Sequence, residues 1–76
     1  MIAAEISMSM FESSAGSVWN NLADMEEWCL VKFGSEARER DQVSDEYPWC
    51  TRYNNGVMWW YFAREEYATL FALRWL

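Results

Sequence analysis

Apolar and polar residues alternate at the beginning of the chain, over residues 2–10. A period of two is the pattern of a strand that buries one face and exposes the other. The apolar positions are Ile2, Ala4, Ile6, Met8 and Met10. The sequence therefore predicts a first strand here, with Glu5, Ser7 and Ser9 on its polar face.

The period changes to that of a helix after the break ESSAGS, in which Ser14 and Ser17 are candidate N-cap residues. Apolar residues then recur at helical spacing, and Gly34 occupies the position of a C-terminal cap. The apolar stripe consists of Val18, Leu22, Met25, Cys29 and Phe33. We expect a helix over 18–33, with Asp24 and Glu27 on its solvent face.

Residues 35–48 are polar, mixed in charge and without an apolar period, so the sequence predicts a long loop. The next segment, WCTRYNNGVMWWYF, is typical of a β-hairpin, because Asn55-Gly56 is a favoured pair for a type I′ turn. That turn would pair Tyr53 with Met58. One face would then hold Trp49, Thr51, Tyr53, Met58, Trp60 and Phe62, and the other Cys50, Arg52, Trp59 and Tyr61.

The first of these faces has more apolar area and no charge, so we expect it to face the helices. The last segment begins with acidic residues suited to a helix start, and its residues 72–76 could continue the helix or form a short final strand. We favour the strand, since it would cover an edge of the first strand. The predicted fold is a small two-layer α+β domain spanning 1–76. It has an antiparallel sheet, helices on one face and the order β-α-β-β-α(-β), which is ferredoxin-like if the last strand forms.

The composition excludes several kinds of chemistry. The chain has no His, and its two cysteines, Cys29 and Cys50, cannot complete a zinc site without carboxylates. The hairpin register places the two thiols on opposite sides of the sheet, so we expect them to remain unpaired. No nucleophile is accompanied by a base in a recognisable motif. The sequence predicts no enzyme, no metal and no cofactor, and a core built from six Trp, four Tyr and four Phe.

The distribution of charge and apolar residues bears on the partner. No stretch approaches the ~20 apolar residues that span a bilayer, which predicts no membrane association. The net charge of −6 argues against binding to phosphates, so nucleic acid is not the favoured partner. Two free thiols fit a reducing compartment, and we expect a cytoplasmic protein.

The closing stretch WYFAREEYATLFALRWL combines an aromatic strand, an acidic helix start and an Ala-x-x-Phe-x-Leu-x-Trp run. The positions concerned are Trp60, Phe62, Glu65, Glu66, Ala68, Phe71, Leu73 and Trp75. In these features the last quarter or so of the chain resembles short uncharacterised accessory proteins of tailed bacteriophages. The resemblance implies an accessory protein that works in the host bacterial cytoplasm.

Four consecutive aromatics, Trp59 to Phe62, oversupply one face of a strand with rings. We therefore expect a non-catalytic interaction module that binds and modulates a protein partner, with a host protein suspected and a homodimer as another possibility. The expected partner-binding residues are Glu5, Arg52, Trp59 and Tyr61. The competing interpretation is that the 35–48 loop covers Trp59 and Tyr61 and makes a second small core.

Two other functions remain open from the sequence. An acidic surface could imitate DNA and inhibit a host or defence enzyme that binds nucleic acid; its candidate residues are Asp24, Glu27, Glu36 and Glu39. The aromatic hairpin could instead stack the bases of a single-stranded nucleic acid. The first would weaken steeply with salt, and the second would need more cations than Arg52 supplies.

Overall fold

The computed structural model describes the backbone of residues 1–9 and 15–75, and their side chains except those of residues 9 and 15–21. In chain order the elements are β1 (Ala4–Ser9), α1 (Ala15–Phe33), a 3₁₀ turn (Arg40–Gln42), β2 (Trp49–Asn54), β3 (Val57–Phe62) and α2 (Glu65–Trp75). The strands form an antiparallel sheet in the order β1-β3-β2. This confirms the predicted small α+β fold. Neither α1 nor α2 is both long and apolar enough to cross a membrane.

The hairpin has the predicted register. Trp49 lies opposite Phe62, and Tyr53 opposite Met58. Asn55 and Gly56 adopt positive φ angles of 52° and 79°, as a type I′ turn requires. Because a slip of one residue would turn every side chain to the other face, this turn decides which rings enter the main core.

The first strand pairs with the second strand of the hairpin, so that Ser7 lies beside Trp59 and Glu5 beside Tyr61. It begins at Ala4, two residues later than predicted. Ile2 precedes the strand and packs on the opposite side of the sheet from Ile6. Met10 and the candidate cap Ser14 lie outside the described residues.

The helix α1 begins three residues earlier than predicted, at Ala15, so Ser17 lies within the helix and is not its cap. Its C-terminus is as expected. Gly34 has φ +120°, and its N–H donates to the carbonyl of Leu30 at 3.1 Å. A positive φ at this position favours glycine because it has no Cβ.

The predicted final strand is wrong, since α2 continues to Trp75. Phe71 is fully buried against Phe62, and Trp28 of α1 packs edge-on against both Phe71 and Trp75, at centroid distances of 6.2 and 6.4 Å. These contacts hold the segment as a helix. Among the described residues β1 is therefore an edge strand with β3 as its one neighbour, and the order is not ferredoxin-like.

The main core lies between the helices and the face of the sheet that we call the inner face. Its buried residues are Met25, Cys29, Trp49, Met58, Trp60, Phe62, Ala68 and Phe71. Tyr53 belongs to this face by register but is 48% exposed, as it lies near the turn. The expected inner and outer faces of the hairpin are otherwise as predicted.

Candidate functional site: a groove on the outer face of the sheet

The 35–48 loop lies on the outer face of the sheet, opposite the helices. Ala37 and Val43 are buried there against Cys50 and Tyr61, with exposed fractions of 5% or less. This is the second small core that the sequence left open as a possibility. The segment is a loop, as predicted, but its two apolar residues hold it on the sheet.

Hydrogen bonds attach the beginning of this loop to the outer edge of β2. The Ala37 N–H donates to the Trp49 carbonyl at 2.8 Å, and Glu36 forms a parallel bridge with Trp49. The Glu36 carboxylate accepts from the N–H and the hydroxyl of Thr51, at 3.3 and 3.0 Å. The indole of Trp49 donates to the Gly34 carbonyl at 2.7 Å. These bonds cover part of the free edge of β2.

Arg52 also attaches the loop. Its guanidinium donates to the carbonyl of Thr51 at 2.7 Å and to the carbonyl of Arg38 in the loop. The sequence places Arg52 beside Trp59 and Tyr61, among the expected partner-binding residues. In the structure two of its N–H groups donate to backbone carbonyls, so Arg52 helps to hold the loop on the outer face.

Beyond the covered part of the sheet, the outer face and the loop enclose a groove of about 790 Å³, which we call the outer groove. Its floor is formed by strand residues and its rim by the loop around the 3₁₀ turn. The lining residues are Glu5, Glu39, Arg40, Asp41, Arg52, Asn54, Trp59 and Tyr61, and Tyr53 also lines the groove although it belongs to the inner face by register.

Two parallel rings form the aromatic part of this floor. The planes of Trp59 and Tyr61 differ by 8°, and their centroids are 6.4 Å apart. The guanidinium carbon of Arg40 lies 5.9 Å from the centroid of the Tyr61 ring, within the range of a cation–π interaction. Tyr61 is thus covered by the loop, whereas Trp59 is only half-buried.

The structure brings all four expected partner-binding residues, Glu5, Arg52, Trp59 and Tyr61, to the outer groove. Tyr61 is 5% exposed, so the expectation that its ring is open to a partner is wrong: the loop residue Val43 packs against it. Of this set, Trp59 is the ring that a partner can reach.

The candidate acidic residues are divided between different places. Glu39 lines the outer groove, and Glu36 binds Thr51. Asp24 and Glu27 are exposed on α1.

Sequence reasoning missed Arg40 and Asp41 as members of the site. The sequence places both in the predicted loop over 35–48, and they reach the groove because this loop folds over the sheet. The available signal was the pair of apolar residues Ala37 and Val43 within an otherwise polar segment.

The thiols show no sign of reactivity. Burial, with the nearby carboxylates of Glu36 and Glu26, raises the pKa of the Cys29 thiol to about 12. Burial also raises the pKa of Cys50, although Arg52 opposes this. Both cysteines are free and buried. A nucleophilic thiol needs a lowered pKa and access to solvent, so the arrangement at these positions is that of core residues.

Comparison of the chain with protein-family models, with curated proteins and with solved structures gives no match. The function is therefore argued below from the geometry of the outer groove.

Proposed function

We propose that this protein is a non-catalytic interaction module and that the outer groove binds a protein partner. The observation that carries the proposal is the half-buried ring of Trp59 at the floor of a groove whose rim bears charges of both signs. A single accessible ring is common on protein surfaces, but a ring at the floor of a groove with polar groups around it is the usual composition of a binding site.

The composition of the groove resembles that of protein interfaces. Trp, Tyr and Arg are the residue types that most often dominate binding energies, and interface centres are commonly surrounded by a polar rim. Trp59 would be the anchor, and the loop residues Glu39 and Asp41 would belong to the rim.

Binding of nucleic acid has less support. The cations at the groove are Arg40 and Arg52, and two N–H groups of Arg52 already donate to backbone carbonyls. With a net charge of −6, the chain as a whole repels phosphates.

The resemblance to phage accessory proteins extends the proposal to the setting. It would place the protein in the cytoplasm of an infected bacterium, where it would modulate a host protein. A second candidate function is imitation of DNA, for which the favouring observation is that Asp24 and Glu27 are both exposed on α1.

The test is affinity capture from a bacterial lysate treated with nuclease. We expect the wild type to retain a protein that Trp59→Ala loses. The matched control is Leu73→Ala, which removes an apolar side chain, 79% exposed, from α2 on the other side of the sheet. A partner retained by Trp59→Ala but lost by the variant Asp24→Asn/Glu27→Gln would contradict the groove and favour DNA imitation.

A further inference from the structure

The charged side chains that line the outer groove differ in whether they already bind other groups of the protein. The carboxylates at the groove are those of Glu5, Glu39 and Asp41. Within the part of the chain that the structure describes, ion pairs join Arg64 to Asp45 and Glu66, and none involves these three carboxylates. The groove therefore presents three exposed carboxylates that form no ion pair with a described cation, although Arg40 and Arg52 line the same groove.

The two arginines at the groove are held by the protein itself. Arg52 donates to the carbonyls of Thr51 and Arg38, and the guanidinium of Arg40 lies over Tyr61. Their donors and faces are thus partly used, whereas the acceptor oxygens of the carboxylates stay available to a ligand.

Arg40 also shows how a cation is accommodated on this surface. It lies over Tyr61, and the ring of Trp59 lies parallel to that of Tyr61, one strand repeat away. Among the described residues, cation–π contacts are made with Tyr61 and with Trp75 of α2, and not with Trp59. The exposed part of the Trp59 indole is therefore the next position in the same row where a cation can stack.

From this charge complementarity we propose that the outer groove accepts an arginine or lysine side chain, presented by an extended segment of a partner protein. The cation stacks on the indole of Trp59, and the carboxylates of Glu5, Glu39 and Asp41 are its counter-charges. An arginine suits the site particularly well, because a guanidinium can stack on the ring and donate to carboxylates in its plane. This inference rests on the proposed function and specifies the chemistry of the partner.

The net charge of the chain supports the same partner. At −6, it attracts basic segments over a distance set by the ionic strength. Attraction by net charge is not specific to the groove, so the experiment has to separate the two effects.

The experiment is an NMR titration of the full chain with a capped extended peptide that contains one arginine, and with the same peptide in which citrulline replaces arginine. Citrulline keeps the shape and loses the charge. We expect the arginine peptide to shift the amide signals of Trp59 and Arg52 and to bind about tenfold more tightly than the citrulline peptide. Trp59→Ala should lose the binding, and circular dichroism should show that this variant is folded.

Two double variants separate the groove from the net charge. Glu39→Gln/Asp41→Asn removes two negative charges at the groove, and Asp24→Asn/Glu27→Gln removes two on α1. We expect the first to weaken binding of the arginine peptide severalfold and the second to leave it nearly unchanged. Equal weakening by both would overturn the inference, because the attraction would then come from net charge alone.

The remaining outcomes also decide. If neither peptide binds, or if both bind equally well, the preference for a basic side chain is refuted, while a lysate partner that depends on Trp59 would still support the proposed function. If the arginine peptide binds and Trp59→Ala still binds it, the stacking position is wrong.

Discussion

Trp60 and Trp59 are neighbours in β3 but face opposite layers, and removing their rings should have very different effects. Trp60 is fully buried, with its centroid 4.6 Å from that of Phe71 and 6.2 Å from that of Trp49. Trp59 is half-buried at the floor of the outer groove. We predict that Trp60→Ala lowers the free energy of unfolding far more than Trp59→Ala.

The expected magnitudes follow from burial. Truncation of a fully buried large ring typically costs about 3–5 kcal/mol, whereas truncation of a partly buried ring at the edge of a core should cost about 1–2 kcal/mol. A domain of this length has about 4–11 kcal/mol of stability in total. Trp60→Ala should therefore remove a large part of the margin, and Trp59→Ala should leave a folded protein.

A milder variant guards against complete unfolding. Among the described residues the indole nitrogen of Trp60 is buried without a hydrogen-bond partner, so Trp60→Phe keeps an aromatic ring against Phe71 and removes this donor. We expect it to cost less than half as much as Trp60→Ala. Urea unfolding followed by far-ultraviolet circular dichroism gives these values, because that signal reports mainly on the backbone of the helices and the sheet; native and unfolded baselines are fitted for each variant, since coupled indoles also contribute to it. The reasoning fails if Trp59→Ala is as destabilising as Trp60→Ala.

Three further predictions concern other parts of the fold. Cys29 and Cys50 should resist alkylation in the native protein at neutral pH and react readily in urea, since both are buried with raised pKa values; fast native labelling, read by mass, would contradict this. Burial, and to a smaller extent the charge of Glu36, raises the pKa of the Glu26 carboxyl above its usual 4.5. The folded protein therefore binds this proton more tightly than the unfolded chain does, and it loses stability as the pH rises from 4.5 through the raised pKa. Glu26→Gln should thus raise the melting temperature at neutral pH but not below pH 4.5. Gly34→Ala should cost about 1–3 kcal/mol in the same urea assay because of its φ of +120°, and a neutral effect would refute that strain.

The hairpin could be predicted from the sequence in detail, because its register depends on a local signal. Asn55-Gly56 specifies a two-residue turn, and the turn then assigns every side chain of both strands to a face. Nothing distant is needed for this inference.

The end of the chain could not be decided in the same way. Residues 72–76 form a short apolar run, which periodicity alone assigns neither to a helix nor to a strand. The deciding contact is with Trp28, more than forty residues away, whose ring packs against Phe71 and Trp75. Similarly, Ala37 and Val43 show no period, and their burial depends on Cys50 and Tyr61.

The four consecutive aromatics are explained by the position of β3 in the fold. It is the central strand, with β1 on one side and β2 on the other, and it has material on both faces. Trp60 and Phe62 serve the core under the helices, and Tyr61 serves the smaller core under the loop. Such a strand can use apolar residues on both faces, as central strands with both faces covered usually do.

Of these four rings, Trp59 is the one that is not fully buried in either core. The loop buries Tyr61 to 5% exposure, whereas Trp59 packs against the edge of the small core and keeps part of its surface accessible. The charged part of the loop forms only the rim of the groove. Its residues are Glu39, Arg40 and Asp41. The small core between the loop and the outer face of the sheet thus ends at Trp59. A partner that completed it would bury the remaining ring surface without any rearrangement of the main core, which is why the outer groove is the place where we expect binding.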